Sequence, residues 1–180
     1  KKVMKSLVMV MAGGFLLASC NNSRSSNPPG TNDTTATTAN VQKMNYPYTI
    51  EHPDYWDIGS SQNTLNALSA LKAWENKNLD GSLKYFADSV RLQFNGIDKM
   101  LSNDSLKAML TPPPGTDYSI KMQDWESVIS KDKKEEYVTL WYREYSKNPK
   151  GDKDSVDVID DLKMKNGKII GLDEYTRKLH

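Results

Sequence analysis

Three helices are predicted in the first half of the chain from the spacing of apolar residues and from capping residues. The first follows the pair Ser60-Ser61, because apolar positions then recur at helical spacing: Leu65, Leu68, Leu71 and Trp74. Asp80 can cap a shorter second helix that carries Leu83 and Phe86. Ser102 or Asn103 can open a third helix, which Pro112–Pro114 must end.

Extended segments dominate the rest of the chain, because their apolar positions alternate with polar ones. The first surrounds Val90–Phe94 and ends at Asn95-Gly96. The Asn166-Gly167 pair is the strongest short signal for a β-hairpin. Helices followed by a long antiparallel meander predict an α+β domain, with the helices on one face of the sheet. The segments of the meander are Tyr118–Ile129, Glu136–Tyr145, Ser155–Lys165 and Lys168–Arg177.

The order of these elements resembles that of the nuclear transport factor 2-like superfamily, which includes SnoaL-like cyclases, ketosteroid isomerases and limonene epoxide hydrolase. Three stretches carry the resemblance: Ala73–Asp80, Asn166–Ile169 and Asp173–Tyr175. The resemblance implies a cystatin-like α+β cone, in which N-terminal helices pack in a curved antiparallel sheet around an internal pocket. Such a pocket can be catalytic, merely binding or filled, so the fold alone does not decide the function.

The first twenty residues have the pattern of a secretory signal. Three lysines precede an apolar run over Leu7–Leu17, and small residues lead into Cys20. The run is shorter than the roughly 20 residues that a membrane-spanning helix needs. Leu17–Cys20 resembles the lipobox of bacterial lipoproteins, which implies cleavage before Cys20 and lipidation of that cysteine. The alternative is an ordinary signal peptide followed by a chance cysteine.

The remaining chain divides into a linker and one domain. Residues 21–44 are rich in Ser, Asn, Thr, Pro and Gly, which predicts a flexible tether, and residues 45–180 have the length of one domain. Asn21 differs from the aspartate that retains enteric lipoproteins in the inner membrane. We therefore expect a lipid-anchored protein of the bacterial cell envelope, in the outer membrane and facing the periplasm.

Composition excludes several classes of function. The chain has 24 basic and 23 acidic residues, and no basic block indicates a nucleic-acid partner. Its single cysteine cannot form an intramolecular disulfide. No nucleophile–base pair, zinc spacing or phosphate loop is visible, so we assign no catalytic residue, metal or cofactor.

Asp160 is a candidate pocket residue, because it falls on the same side of its strand as the apolar residues. A carboxylate on a buried face needs a partner, since an isolated buried charge is costly, and Arg143 is a plausible one. The alternative is that Asp160 lies at an open rim and is solvated. The residues expected to face the core with it are Val156, Val158, Leu162 and Met164.

The last strand has two possible registers, which present opposite faces to the core. A two-residue turn at Asn166-Gly167 would direct Asp173 and Tyr175 inward. A turn with a glycine bulge would instead direct Glu174 inward, together with two large apolar residues. We favour Glu174, because its apolar neighbours belong in a core and because the family match agrees.

Resemblance to limonene epoxide hydrolase adds Trp141 to the candidates without implying hydrolysis. It places Glu174 at the position of that family's catalytic aspartate. Trp141 then falls at the position of the catalytic arginine and Arg143 at that of the second aspartate. The catalytic set is therefore not reproduced in this sequence.

These patterns favour a non-catalytic function. We expect the cone to bind a small apolar ligand through Trp141, Arg143, Asp160 and Glu174, or the open sheet face to bind a protein partner such as a second copy of the chain. The alternative is a SnoaL-like isomerase or hydrolase that acts on a small hydrophobic substrate. An open apolar pocket that contains a paired carboxylate would favour the enzyme.

Overall fold

The computed structural model of the chain describes residues 45–50 and 55–179. The predicted signal peptide, the lipidation site Cys20 and the tether lie outside the described residues and stay predictions. The described domain falls within the compact unit Tyr48–His180. Within the described residues, no helix has the length and apolar character needed to cross a membrane.

Three helices and seven strands make up the described domain. The four strands of the second half match their predicted segments to within two residues at each end. In chain order the elements are β1 (Trp56–Ile58), α1 (Ser61–Glu75), α2 (Leu79–Leu83), β2 (Phe86–Phe94), β3 (Ile97–Ser102), α3 (Asn103–Leu110), β4 (Asp117–Ser130), β5 (Glu136–Lys147), β6 (Lys153–Lys165) and β7 (Lys168–Lys178).

The strands form one sheet in the order β1-β4-β5-β6-β7-β2-β3, which confirms the α+β fold. Strands β4 to β7 are the predicted antiparallel meander. The sheet is mixed and not wholly antiparallel, because β2 pairs in parallel with β7. β1 and β3 were not predicted. β3 forms a hairpin with β2 through Asn95-Gly96, whose φ angles of 47° and 79° suit a tight two-residue turn.

Helix α1 begins as predicted, and three of its four predicted apolar residues, Leu68, Leu71 and Trp74, face the core or the cavity. The Ser60 hydroxyl accepts a hydrogen bond from the Asn63 N–H and caps the helix. Its buried residues include the small Ala67 and Ala70, whereas Leu65 is 56% exposed. Small side chains on the packed face leave space between helix and sheet.

Two predicted details of the helices are wrong. Helix α2 is capped by Asn78 and not by Asp80, since the Asn78 side chain accepts a hydrogen bond from the Gly81 N–H. Phe86 is not part of that helix but is the first residue of β2. Ser102 caps α3 as predicted, through a hydrogen bond from the Ser105 N–H.

The last hairpin combines both predicted registers. A two-residue turn pairs Met164 with Ile169, and the pairing then shifts so that Lys163 lies opposite Gly171. Ile170 is thus an extra residue that exchanges the faces of the strand beyond it. As a result Leu172 and, two residues further on, Glu174 point to the inner face, which is the face of the sheet that packs against the helices.

Candidate ligand-binding cavity

A cavity of about 90 Å³ lies between the helices and the inner face of β5, β6 and β7. Its wall is mainly apolar, and its polar side chains come almost entirely from the sheet. The apolar lining residues are Ala67, Ala70, Leu71, Trp74, Phe86, Leu110, Leu140, Leu162, Ile169 and Leu172. The polar ones are Ser82, Tyr142, Glu144, Asp160 and Glu174.

A second cavity of about 220 Å³ adjoins the first under the α3–β4 segment. Both cavities are lined by Trp74, Leu110, Glu144 and Glu174. Trp74 is held in place, since its indole N–H donates a 2.8 Å hydrogen bond to the Leu110 carbonyl oxygen. Its ring also contacts Tyr118, with 5.0 Å between the ring centres. The boundary between the two spaces is therefore built from one fixed aromatic ring and two carboxyl groups.

The carboxyl cluster of the cavity consists of Glu144, Asp160 and Glu174, one from each of three neighbouring strands. Asp160 on β6 lies directly opposite Glu174 on β7. The Tyr142 hydroxyl donates a 2.9 Å hydrogen bond to Asp160 Oδ2. Asp160 is only 7% exposed, and its Oδ1 atom is buried without a hydrogen-bond partner. This oxygen is thus an unpartnered polar atom on a mainly apolar wall.

Burial and mutual repulsion raise the pKa values of this cluster. Burial, followed by the charge of Glu174, raises the pKa of Asp160 to about 8, although the Tyr142 hydrogen bond opposes the shift. The same two causes raise the pKa of Glu144 to about 7. Burial raises the pKa of Glu174, and it raises that of Tyr142 well above the usual range. The raised pKa of Asp160 therefore favours its neutral, protonated form at pH 7.

Solved structures with this architecture identify the fold. A protein of unknown function from Burkholderia pseudomallei superposes with a TM-score of 0.54 at 14% identity, over 66% of this chain and 92% of that one. It is described as nuclear transport factor 2-like. The domain has the nuclear transport factor 2-like fold. No protein-family model matches the sequence, and a search of curated proteins gave no match.

Two further nuclear transport factor 2-like neighbours come from Mycobacterium tuberculosis. One, in complex with estradiol-17β-hemisuccinate, has a TM-score of 0.52 at 12% identity, over 64% of this chain and 94% of that chain. The other, an LEH-like epoxide hydrolase, has a TM-score of 0.54 at 12% identity, over 66% of this chain and 84% of that chain. Identities this low establish a shared fold and nothing about shared chemistry.

Two of the four predicted pocket residues lie in the cavity of this nuclear transport factor 2-like domain, and two do not. Asp160 and Glu174 line it. Arg143 points to the outer face of the sheet, where its Nε atom donates a 2.7 Å hydrogen bond to Asp157. Trp141 lies on the same outer face, opposite Ile159. The predicted Arg143–Asp160 pair is therefore wrong, because the strand directs the two side chains to opposite faces.

The outward orientation of Trp141 and Arg143 follows from the alternation along β5. Val138, Leu140 and Tyr142 are its buried residues, so every second position faces inward. Trp141 and Arg143 fall between them and face outward. The same parity brings Tyr142 and Glu144 into the cavity, and neither was predicted as a site residue. The apolar alternation of the strand could have identified both residues, and it is a better guide than a position inferred from a distant family.

The charged residues of the cavity are all acidic. Among the described residues that line the two cavities, no lysine, arginine or histidine is present. An arginine between two carboxylates, as the resemblance to limonene epoxide hydrolase would require, is therefore not formed by these residues. The described residues also contain no group of His, Cys, Asp and Glu side chains arranged to hold a metal ion.

Proposed function

We propose that the domain binds a small, largely apolar ligand inside the cone, with Asp160 as the polar anchor. The observation that carries this proposal is the buried Asp160 Oδ1 atom, which lines the cavity and has no hydrogen-bond partner. An unpartnered buried polar atom lowers stability by about 1–3 kcal/mol. A ligand with a polar group at that point would remove the cost, while its apolar body would contact the apolar wall.

The size of the cavities supports this function. An apolar cavity of about 150 Å³ can bind benzene. The inner cavity of about 90 Å³ and the adjoining one of about 220 Å³ share four lining residues. The two spaces together exceed that volume, so a ligand with one ring would extend through both of them past Trp74.

The second candidate function is an isomerase acting on a small hydrophobic substrate. A carboxylic acid that stays neutral at pH 7 can donate a hydrogen bond to a developing oxyanion, as in ketosteroid isomerase. Asp160 has that property, and the pKa of Glu144, about 7, suits a general base. We favour binding over catalysis, because the Tyr142 hydroxyl already donates its hydrogen to Asp160. Asp160 is then the only member of this pair that can donate a hydrogen bond to an oxyanion. Conversion of a β,γ-unsaturated ketone to its conjugated isomer, followed by ultraviolet absorbance, tests the enzyme.

Thermal unfolding with probe ligands tests the proposed binding function. We expect estradiol or 2-phenylethanol to raise the Tm in a concentration-dependent manner, since a ligand that binds only the folded state stabilises it. The variant Ala70→Leu places a larger side chain in the cavity and should lose that response. Ala108→Leu is the matched control, because Ala108 is an exposed residue of α3. An unchanged Tm with both probes would contradict the proposal.

We also propose that Cys20 anchors the protein in the bacterial envelope, in the outer membrane and facing the periplasm. Leu17-Ala18-Ser19-Cys20 supports this proposal through its resemblance to a lipobox. Cys20→Ala should move the protein from the detergent-rich phase to the aqueous phase in detergent partitioning. Retention of the variant in the detergent-rich phase would contradict lipidation at this residue.

A second copy of the chain is the proposed partner of the outer sheet face. Trp141, Ile159 and Tyr175 form a row across β5, β6 and β7 on that face, and Tyr175 is 64% exposed. An exposed apolar row of this kind suits an interface. Sedimentation equilibrium should show a dimer that Tyr175→Asp dissociates. A monomeric wild-type protein would contradict the proposal.

A further inference from the structure

The inner face of the cone carries acidic groups without a basic counterpart. Glu144, Asp160 and Glu174 line the inner cavity, and the described lining residues of both cavities include no basic side chain. Three other carboxylates of the sheet do have cationic partners: Asp98 with Arg91, Asp117 with Lys77, and Asp157 with Arg143 and Arg177. Buried carboxyl groups of one sign are costly to ionise unless a cation joins them.

A second observation points to a ligand at the same place. Asp160 is almost fully buried, lines the cavity and has one carboxyl oxygen without a partner. Its cross-strand neighbour is Glu174, and directly opposed residues of adjacent strands have Cβ atoms about 5 Å apart. A single ammonium group has three N–H donors, which suits a cluster of three carboxyl groups.

Aromatic rings form part of the surrounding wall. Trp74, Phe86 and Tyr142 line the inner cavity, and Tyr118 lines the outer one. Aromatic faces attract organic cations, and they also contact apolar carbon skeletons. The cavity therefore offers favourable surroundings for both parts of an amphipathic amine.

We propose that the ligand of the cone is a primary amine on an apolar body, with its ammonium group among Glu144, Asp160 and Glu174. This inference rests on the proposed binding function and names its ligand class. Calcium or magnesium is a poor alternative, because each needs about six oxygen ligands and this wall is mainly apolar. An anionic ligand would be repelled by the carboxyl cluster.

Binding of an amine has a defined pH dependence. The titratable groups that face the site are Tyr142 and Glu144 from β5, Asp160 from β6 and Glu174 from β7, with Tyr118 of β4 in the outer cavity. The described lining residues of α1, α2 and α3 include no titratable side chain. The ammonium group favours ionised carboxylates, so its binding should expel protons from the cluster. Amine affinity should therefore rise between pH 5.5 and pH 8.

Isothermal titration calorimetry of the full chain with three matched probes tests the inference. The probes are phenethylamine, 2-phenylethanol and phenylacetate, which share one apolar body and differ in charge. At pH 8 we expect phenethylamine to bind about tenfold more tightly than 2-phenylethanol, because charge-assisted hydrogen bonds are the stronger ones. Phenylacetate should bind most weakly. The amine's advantage should shrink at pH 5.5.

Variants and buffers separate the ammonium site from general effects on folding. Glu174→Gln should weaken phenethylamine about tenfold and leave 2-phenylethanol nearly unchanged. The matched control is Glu126→Gln, an exposed glutamate of β4 that lines neither of these two cavities. If Glu174→Gln does not fold, the titration of the wild-type protein with the three probes still tests the inference. Heats measured in two buffers of different ionisation enthalpy should reveal proton release with the amine and none with the alcohol.

The outcomes distinguish this inference from the function on which it rests. Equal or tighter binding of 2-phenylethanol at pH 8 would overturn the amine assignment and leave the binding function standing. Amine binding without proton release would also overturn it. If none of the three probes binds, the amine assignment is wrong, and the proposed function then depends on the estradiol result alone. Preferential, proton-releasing binding of phenethylamine supports both.

Discussion

Two aspartates of β6, only three positions apart, have opposite electrostatic environments. Asp157 lies on the outer face, where Arg143 and Arg177 donate hydrogen bonds to it and hold its pKa down at about 2. Asp160 lies on the inner face, where burial and Glu174 raise its pKa to about 8. Residues an odd number of positions apart in a strand point to opposite faces, so position along the strand alone places the two aspartates in different environments.

The difference separates an ordinary structural contact from a candidate site. The two outer ion pairs of Asp157 satisfy its charge locally and suit a sheet surface. The inner carboxyl groups lack such partners, and departures from local satisfaction concentrate at functional sites. Measurements on either face can test this difference, and variants of the inner face should change stability more than variants of the outer face.

The largest effect should be a loss of stability as pH rises. The pKa of Asp160 increases on folding from an ordinary 3.8 to about 8, so the folded state holds the proton more tightly. Stability from this group is full below pH 3.8 and is lost progressively up to pH 8, by up to about 6 kcal/mol. Urea denaturation between pH 4 and pH 9 measures it. Asp160→Asn should flatten the profile, whereas Asp154→Asn, an exposed change on the same strand, should not. Wild-type stability that rises with pH would contradict the assignment.

A smaller effect is expected from Tyr142→Phe. The Tyr142 hydroxyl donates the hydrogen bond that Asp160 Oδ2 accepts, and Asp160 Oδ1 has no partner. Removal of this donor leaves the whole buried carboxyl unpartnered and should lower the free energy of unfolding by about 1–3 kcal/mol. It should also raise the pKa of Asp160 further. Tyr145→Phe, which removes the hydroxyl of an exposed tyrosine on the same strand, is the control. Equal stability of the two variants would show that the inner hydrogen bond is unimportant.

The smallest effect should come from the outer face. Arg143→Met removes one of the two arginines that bind Asp157 and leaves Arg177 in place. We expect the Tm to fall by no more than a few degrees, since exposed ion pairs contribute little. The double variant Arg143→Met, Arg177→Met should lower the Tm by more than the sum of the single changes, because only then is Asp157 unpaired. A large drop for Arg143→Met alone would place that side chain in the core after all.

The meander and the caps of α1 and α3 could be predicted because their signals are local. Alternation defined β4 to β7, and Asn166-Gly167 defined their last turn. The parallel pairing of β2 with β7 could not be predicted, because it joins segments far apart in sequence. The short β1 strand carries too few residues for an alternating pattern.

The site residues were predicted correctly where the alternation of their strand was followed. They were missed where a distant resemblance was followed instead. Asp160 was predicted to face the core from the apolar residues around it, and it does. Glu174 also faces inward, although the bulge at Ile170 that directs it there follows from tertiary pairing. Trp141 and Arg143 were assigned from a distant resemblance against the alternation of their own strand. The alternation of a strand is therefore a better guide to which side chains face the cavity than resemblance to a distant family.

A nuclear magnetic resonance titration of the aspartate side-chain carboxyl carbons, with and without phenethylamine, tests the account most directly. In the free protein, Asp160 should titrate near pH 8 and Asp157 near pH 2. Saturating phenethylamine should lower the pKa of Asp160 and leave that of Asp157 unchanged, because only the inner face binds the ammonium group. Ordinary pKa values for both aspartates, or an Asp160 titration that the amine does not move, would contradict the account.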